Sequence, residues 1–146
     1  MDGPRPSILD ALEREHVLWL STTRPDRAPH VVPLWFLWDG ESIVAFSKPD
    51  AQKVRNLRID PRAMVAIGRA DASFEVELIE AVAELHNAPA SLPAGFVNKY
   101  AALAAEAGIA FAAFADVYSQ EIVIRPRRWL GWGGPGWSRA RPAPMA

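Results

Sequence analysis

Three apolar runs separated by turn residues occupy the first third of the chain. His16–Thr23 (HVLWLSTT) is apolar almost throughout, which predicts a strand buried on both faces. Arg24-Pro25-Asp26-Arg27 predicts a turn. His30–Trp38 (HVVPLWFLW) predicts a second strand. Pro33 inside it lacks a ladder donor, so that strand should be an edge, carry a bulge, or let another group approach its backbone. Asp39-Gly40 is a hairpin signal, and Ser42–Ser47 predicts the third strand.

The period changes on either side of this block. Before it, Ser7 with Ile8, Leu9 and Leu12 predicts a Ser-capped amphipathic helix ending near Arg14. After it, a short basic helix runs to Asp60-Pro61, which stops it. Ala63–Gly68 and Phe74–His86 predict two more strands; Glu75, Glu77 and Glu80 mark a wet face on the second. Pro93–Glu106 predicts an Ala-rich helix terminated by Gly108, and Ile109–Asp116 a second short one; any pocket is expected to be shaped by this Leu92–Asp116 insertion and the C-terminal tail. Tyr118–Arg125 and Arg128–Trp132 predict the last strands, and residues 133–146 an irregular tail. Six or seven strands joined mostly by hairpins, with helices between them, predict a mainly β, α+β fold: an antiparallel barrel in one domain spanning 1–146.

Composition narrows the function classes. Half of the 146 residues are hydrophobic, and the net charge of −1 argues against a nucleic-acid partner. There is no cysteine, which excludes thiolate chemistry and disulfides. No apolar run is long enough to span a bilayer and MDGPRPSILD has no signal-peptide core, so the expected location is the cytoplasm, with no membrane partner. His16, His30 and His86 share no ligand spacing, so no metal is expected. Ser21, Thr22 and Thr23 have no nucleophile elbow, and Glu75, Glu77 and Glu80 read as a solvent face rather than a catalytic pair. No catalytic residue is expected from the chain itself: if it is an enzyme, a cofactor carries the chemistry.

One stretch points to such a cofactor. From Ser47 the chain reads SKPDAQKVRNLRIDPR, with Lys53, Arg55, Asn56, Arg58 and Arg62 close together at a helix that follows a strand. Free N–H groups and cations converge at such a place and can hold a phosphate. A solvated cationic helix face explains the same pattern. Val31–Phe36, just upstream, offers an apolar wall for a ring system, with Pro33 leaving backbone free.

Together, Trp19-Leu20-Ser21-Thr22, Arg24-Pro25-Asp26, the Pro29–Phe36 run, Asp39-Gly40, Ser47 and the Lys53–Arg62 run resemble the flavin/deazaflavin oxidoreductase superfamily. This is the split β-barrel group that includes pyridoxamine 5′-phosphate oxidase; the likeness is closest to its PPOX-class F-420-dependent branch. It covers residues 8 to about 86 and resumes loosely over 118–132. The resemblance implies a homodimer with cofactor sites at the subunit interface. It implies that Lys53 and Asn56 hold the cofactor phosphate, with Arg55 or Lys48 nearby. It implies that Val32, Pro33, Leu34, Trp35, Phe36 and Ser47 line the isoalloxazine or deazaflavin ring. Trp129, Trp132 and Trp137 are candidates to close the site from the other subunit, Trp132 foremost and Trp129 as a packing residue. The chain departs from many relatives at Ala51, where they carry a basic or hydroxylic residue; this leaves one fewer phosphate ligand.

The function implied is an oxidoreductase using reduced deazaflavin coenzyme F-420 to transfer hydride to a small electron-poor acceptor: a quinone, an enone or a tetrapyrrole. An FMN-dependent oxidase or reductase and a non-catalytic flavin-, deazaflavin- or haem-binding module are the alternatives.

Overall fold

The computed structural model describes residues 3–69, 71–72 and 74–132. The expected irregular tail at 133–146, with Trp137, lies outside them, as does the side chain of Trp132. Eleven elements follow in order: α1 (Pro6–Arg14), β1 (Leu18–Thr23), β2 (Pro29–Leu34), β3 (Leu37–Trp38), β4 (Ile43–Ser47), α2 (Gln52–Ile59), β5 (Arg62–Gly68), β6 (Val76–Asn87), α3 (Ala94–Ala107), α4 (Phe111–Val117) and β7 (Gln120–Trp132). The seven strands form one antiparallel sheet in the order β2-β1-β5-β6-β7-β4-β3. Its two edge strands, β2 and β3, are consecutive in the chain and separated by only Trp35 and Phe36. A two-residue link between opposite edges forces the sheet to curl into a split barrel.

That link breaks the expected strand at 30–38. The N–H of Phe36 donates to the Tyr100 hydroxyl at 2.7 Å, and its carbonyl lies 2.9 Å from the same oxygen. Phe36 thus bonds to helix α3 instead of a ladder partner. The Pro33 expectation holds in its edge form: β2 is an edge strand, with Pro33 opposite Trp19.

Inward positions alternate along the strands and fill the barrel. Leu18, Leu20, Phe36, Ile43, Val65, Ile79, Ile122 and Ile124 are all inaccessible, and Val54 and Leu57 of α2 plug the same core. β1 is not buried on both faces as its run of apolar residues suggests: Trp19 is half exposed on the outer face. The last two expected strands are one strand, β7, because a bulge absorbs the interruption. Glu80 pairs with Arg128 and Ala81 with Pro126, leaving Arg127 unpaired beside a proline that cannot donate.

Two end-of-barrel expectations change. Ser7 is inside α1 rather than capping it; Pro6 takes the first turn and no side chain caps the helix. Glu77 is not on a wet face: it alternates inward with Ile79 and is 3% exposed. Its carboxylate accepts from Nε of Arg5 at 3.1 Å and pairs also with Nη2. A Cβ at Gly131 would lie 2.6–2.8 Å from that guanidinium, so the missing side chain makes room for the pair.

Helix α3 packs outside β3 and β4. Gly108 ends it in the left-handed conformation (φ 68°), as its sequence position predicts. Lys99 lies 3.6 Å from the Phe36 ring centroid and donates to the Leu12 carbonyl at 3.5 Å. Burial pushes its ammonium down to about 8, against the pull of Glu13 and Glu15. A lysine depressed in the fold binds its proton less tightly than in the unfolded chain. Stability therefore rises with pH between about 8 and the ordinary lysine value of 10.5. Thermal melts at pH 7.5–9.5 are expected to show this rise in the wild type relative to Lys99→Met; parallel melting curves would refute it.

Candidate functional site

A cleft of about 620 Å³ opens outside the point where the sheet edges meet. Pro33, Leu34 and Trp35 form one side, with Phe46 of β4 and Lys53 of α2; Ile109, Ala110, Ala113, Phe114, Val117 and Tyr118 form the other. Its size is within the range of small-molecule sites, ~300–1,000 Å³, and its lining is mostly apolar, as in such sites.

Trp35 is held in place by an aromatic series. Its ring stacks on Tyr100 at 4.4 Å and 7°, and on Phe114 at 6.2 Å and 16°. Phe114 in turn meets Tyr118 at 4.5 Å. Tyr100 is fully buried, and its one hydroxyl proton is shared between the carbonyls of His16 and Phe36, at 2.8 and 2.9 Å. Burial pushes that phenol well above the usual tyrosine range.

Lys53 is the only charged side chain among the described lining residues. It is half-buried, and desolvation holds its ammonium below the usual lysine value. It makes no hydrogen bond or ion pair with any described residue. The α2 terminus beside it has no side-chain cap and no acid in its first turn. The Gln52 and Lys53 N–H groups find no acceptor among the described residues. Donors and a cation without counter-charge suit an anionic group.

The remaining sequence-derived candidates lie elsewhere. Asn56 is inaccessible: its Nδ2 donates to Thr22 Oγ1 at 2.9 Å, and its Oδ1 accepts from Gln52 Nε2 at 2.7 Å. It fastens α2 to β1. Phe36 belongs to the core, and Val32 packs against it from the inner face of β2. Ser47 is buried, its Oγ donating to the Lys48 carbonyl at 3.0 Å. Lys48 and Arg55 are exposed, Arg55 bonding to Gln52 Oε1, and Arg58 donates to the Pro49 carbonyl at 3.3 Å. The run is therefore both things its sequence allowed: a solvated cationic face at Arg55 and Arg58, and one inward cation at Lys53. Ala51, at the start of α2, is partly buried and packs against the core. Trp129 meets Trp38 edge-on at 6.3 Å, a packing role. Most of the α4 wall falls within Leu92–Asp116, the helical segment expected to shape the pocket; the Phe111, Phe114 and Tyr118 spacing was the signal for its individual residues. Among the described residues no cluster of His, Asp or Glu is arranged to hold a metal ion.

The same architecture recurs in solved structures. One named an F420 reductase is 24% identical, with a TM-score of 0.64, covering 82% of this chain and 93% of its own. A Listeria innocua protein provisionally assigned as a pyridoxamine 5′-phosphate oxidase is 21% identical (TM-score 0.62; 86% and 94% covered). HutZ, the heme storage protein from Vibrio cholerae, is 15% identical (TM-score 0.62; 89% and 96% covered). At these identities the likeness is one of fold. No curated protein matches the sequence. The family model described as Pyridoxamine 5′-phosphate oxidase matches residues 5–133, nearly the whole described chain, and with the split barrel this places the protein in the pyridoxamine 5′-phosphate oxidase family.

Proposed function

We propose that the protein is an oxidoreductase that takes the deazaflavin coenzyme F-420 in the cleft between the β2–β3 link and α4. The observation that carries this reading is Lys53, a half-buried cation without a partner among the described residues, opening into a mostly apolar slot. Lys53 would hold the cofactor's phosphate, and Pro33, Leu34, Trp35 and Phe46 would border its ring. The cofactor supplies a hydride carrier; the chain supplies the anion contact, the flat apolar walls and exclusion of water. FMN, which also carries a phosphate and fits the family's description, is the second reading. For haem, the described lining offers Tyr118 and Lys53 but no histidine or methionine.

Fluorescence titration of the purified protein with F-420, FMN and haemin tests the choice. F-420 is expected to bind most tightly. FMN binding without F-420 binding would transfer the site to the second reading, and haemin binding alone would remove the oxidoreductase reading.

The outer face of the sheet supports a homodimer within this proposal. Pro33, Trp19, Ala66, Leu78 and Leu130 are successive cross-strand partners, so they form one apolar row across five strands. Val31, 57% exposed, lies beside it on the outer face of β2. Pro33 belongs both to this row and to the cleft lining, so a second copy covering the row reaches the cleft mouth. Sedimentation velocity at micromolar concentration is expected to give a dimer; a monomer would overturn this part.

No single helix among the described residues is long and apolar enough to cross a membrane.

A further inference from the structure

Lys53 has two chemistries, depending on its proton. Protonated, it is a cation for an anionic group; unprotonated, its Nζ is a nucleophile. Desolvation lowers its hold on the proton, so the free amine is better represented than in an ordinary lysine. No carboxylate is among the described lining residues to keep it charged, and no described residue occupies it by a hydrogen bond or ion pair. The cleft of about 620 Å³ leaves room beside it for a small reagent.

The chain has three lysines, and the other two lack this setting. Lys48 is exposed and does not line the cleft. Lys99 is lowered to about 8, but its Nζ sits 3.6 Å from the Phe36 ring centroid, donates to the Leu12 carbonyl and does not line the cleft either. Desolvation alone would direct a reagent to Lys99, whereas the cleft directs it to Lys53.

We propose that Lys53 is an acylation site served by acyl phosphates, and that its acylation closes the cleft to the cofactor. This rests on the reading of Lys53 as the phosphate contact. The ammonium attracts the reagent's phosphate, which brings the acyl carbon within reach. Loss of one proton to solvent frees the Nζ lone pair. It attacks the carbonyl carbon, the C–N bond forms, and the bond from that carbon to the phosphate oxygen breaks. Inorganic phosphate leaves with the second amine proton, and nothing is oxidised or reduced. The product is a neutral amide, so the cleft loses the only charge among its described lining residues.

Peptide mass spectrometry of the full chain, treated without cofactor at pH 8, tests this with two acetyl donors. Acetyl phosphate carries the anionic leaving group, and N-acetoxysuccinimide is a neutral donor of the same acetyl group. With acetyl phosphate, Lys53 is expected to react about fivefold or more faster than Lys48 and Lys99, and inorganic phosphate should protect it. With the neutral donor the preference should shrink. Acetylated protein should then bind the cofactor about tenfold to a hundredfold more weakly. Lys53→Arg cannot form the amide, so its affinity, whatever its starting value, should not change on treatment. Reaction at Lys48 or Lys99 as fast as at Lys53, the same preference with both donors, or an equal loss of affinity in treated Lys53→Arg would each overturn the proposal. Selective, phosphate-protected acetylation of Lys53 in a protein that binds neither F-420 nor FMN supports the acylation site and removes only the cofactor reading. Cofactor binding that depends on Lys53, with no selective acetylation there, removes only the acylation site.

Discussion

Replacing Tyr100 by phenylalanine is expected to destabilise the protein by about 2 kcal/mol, a large effect for the loss of one oxygen atom. The Tyr100 hydroxyl is the partner of the Phe36 N–H and bonds to the carbonyls of His16 and Phe36. Phe36 is inaccessible, so no water replaces that partner, and an unpaired buried N–H costs about 1–3 kcal/mol. The affected residue belongs to the two-residue link that ties the sheet edges together. The loss should therefore also loosen Trp35, which stacks on the Tyr100 ring and lines the cleft. Urea denaturation should show a lower midpoint with an unchanged slope, and cofactor affinity should fall in parallel. Tyr118→Phe, which removes a hydroxyl with no described partner, is the control and should be nearly neutral. A stability change below about 0.5 kcal/mol in Tyr100→Phe would mean that the bond network does not hold the link.

How much of this was legible in the sequence depends on how local each cause is. Strand and helix positions follow from period and punctuation: Pro33 marks an edge, Asp60-Pro61 a stop, Gly108 a left-handed cap. The break at Trp35–Phe36 does not, because its cause is a tyrosine hydroxyl 64 residues away in sequence. Glu77 reads as a surface residue from its neighbours. It is buried because Arg5, brought from the far end of the chain, meets it beside Gly131. The basic run is partly legible. Its charge is visible, but which of its members turns inward depends on the helix's rotation about its axis. Val54, Asn56 and Leu57 fix that rotation by entering the core, and Lys53 follows onto the cleft. Asn56, which the family resemblance assigns to the phosphate, is thereby committed to Thr22 and Gln52. The α4 wall was legible only as a segment, within 92–116, and its individual residues were hidden for a different reason. Alanines and valines carry no chemical signature, and only the placement of α4 against the barrel link turns them into a lining.

Substituting alanine for Lys53 is expected to weaken cofactor binding by about tenfold to a hundredfold with little change in stability. A charge-assisted hydrogen bond to a phosphate contributes about 1.5–3 kcal/mol, which is this range in affinity. Stability should hold because the ammonium has no described partner to leave behind, and removing a half-desolvated charge relieves a cost rather than creating one. Arg55→Ala is the matched comparison: the same charge is lost from the exposed face of the same helix, and affinity should change little. The pH dependence separates charge from packing. Desolvation holds Lys53 below its ordinary value in the free protein, so wild-type affinity is fully present while the amine is protonated. It declines as pH rises through that lowered value, earlier than an ordinary lysine would dictate. Lys53→Arg keeps its charge throughout and should bind with a flat profile over the same range. If Lys53→Ala and Arg55→Ala weaken binding equally, the anion is attracted by the helix as a whole. If neither does, the phosphate lies elsewhere and Lys53 has another role.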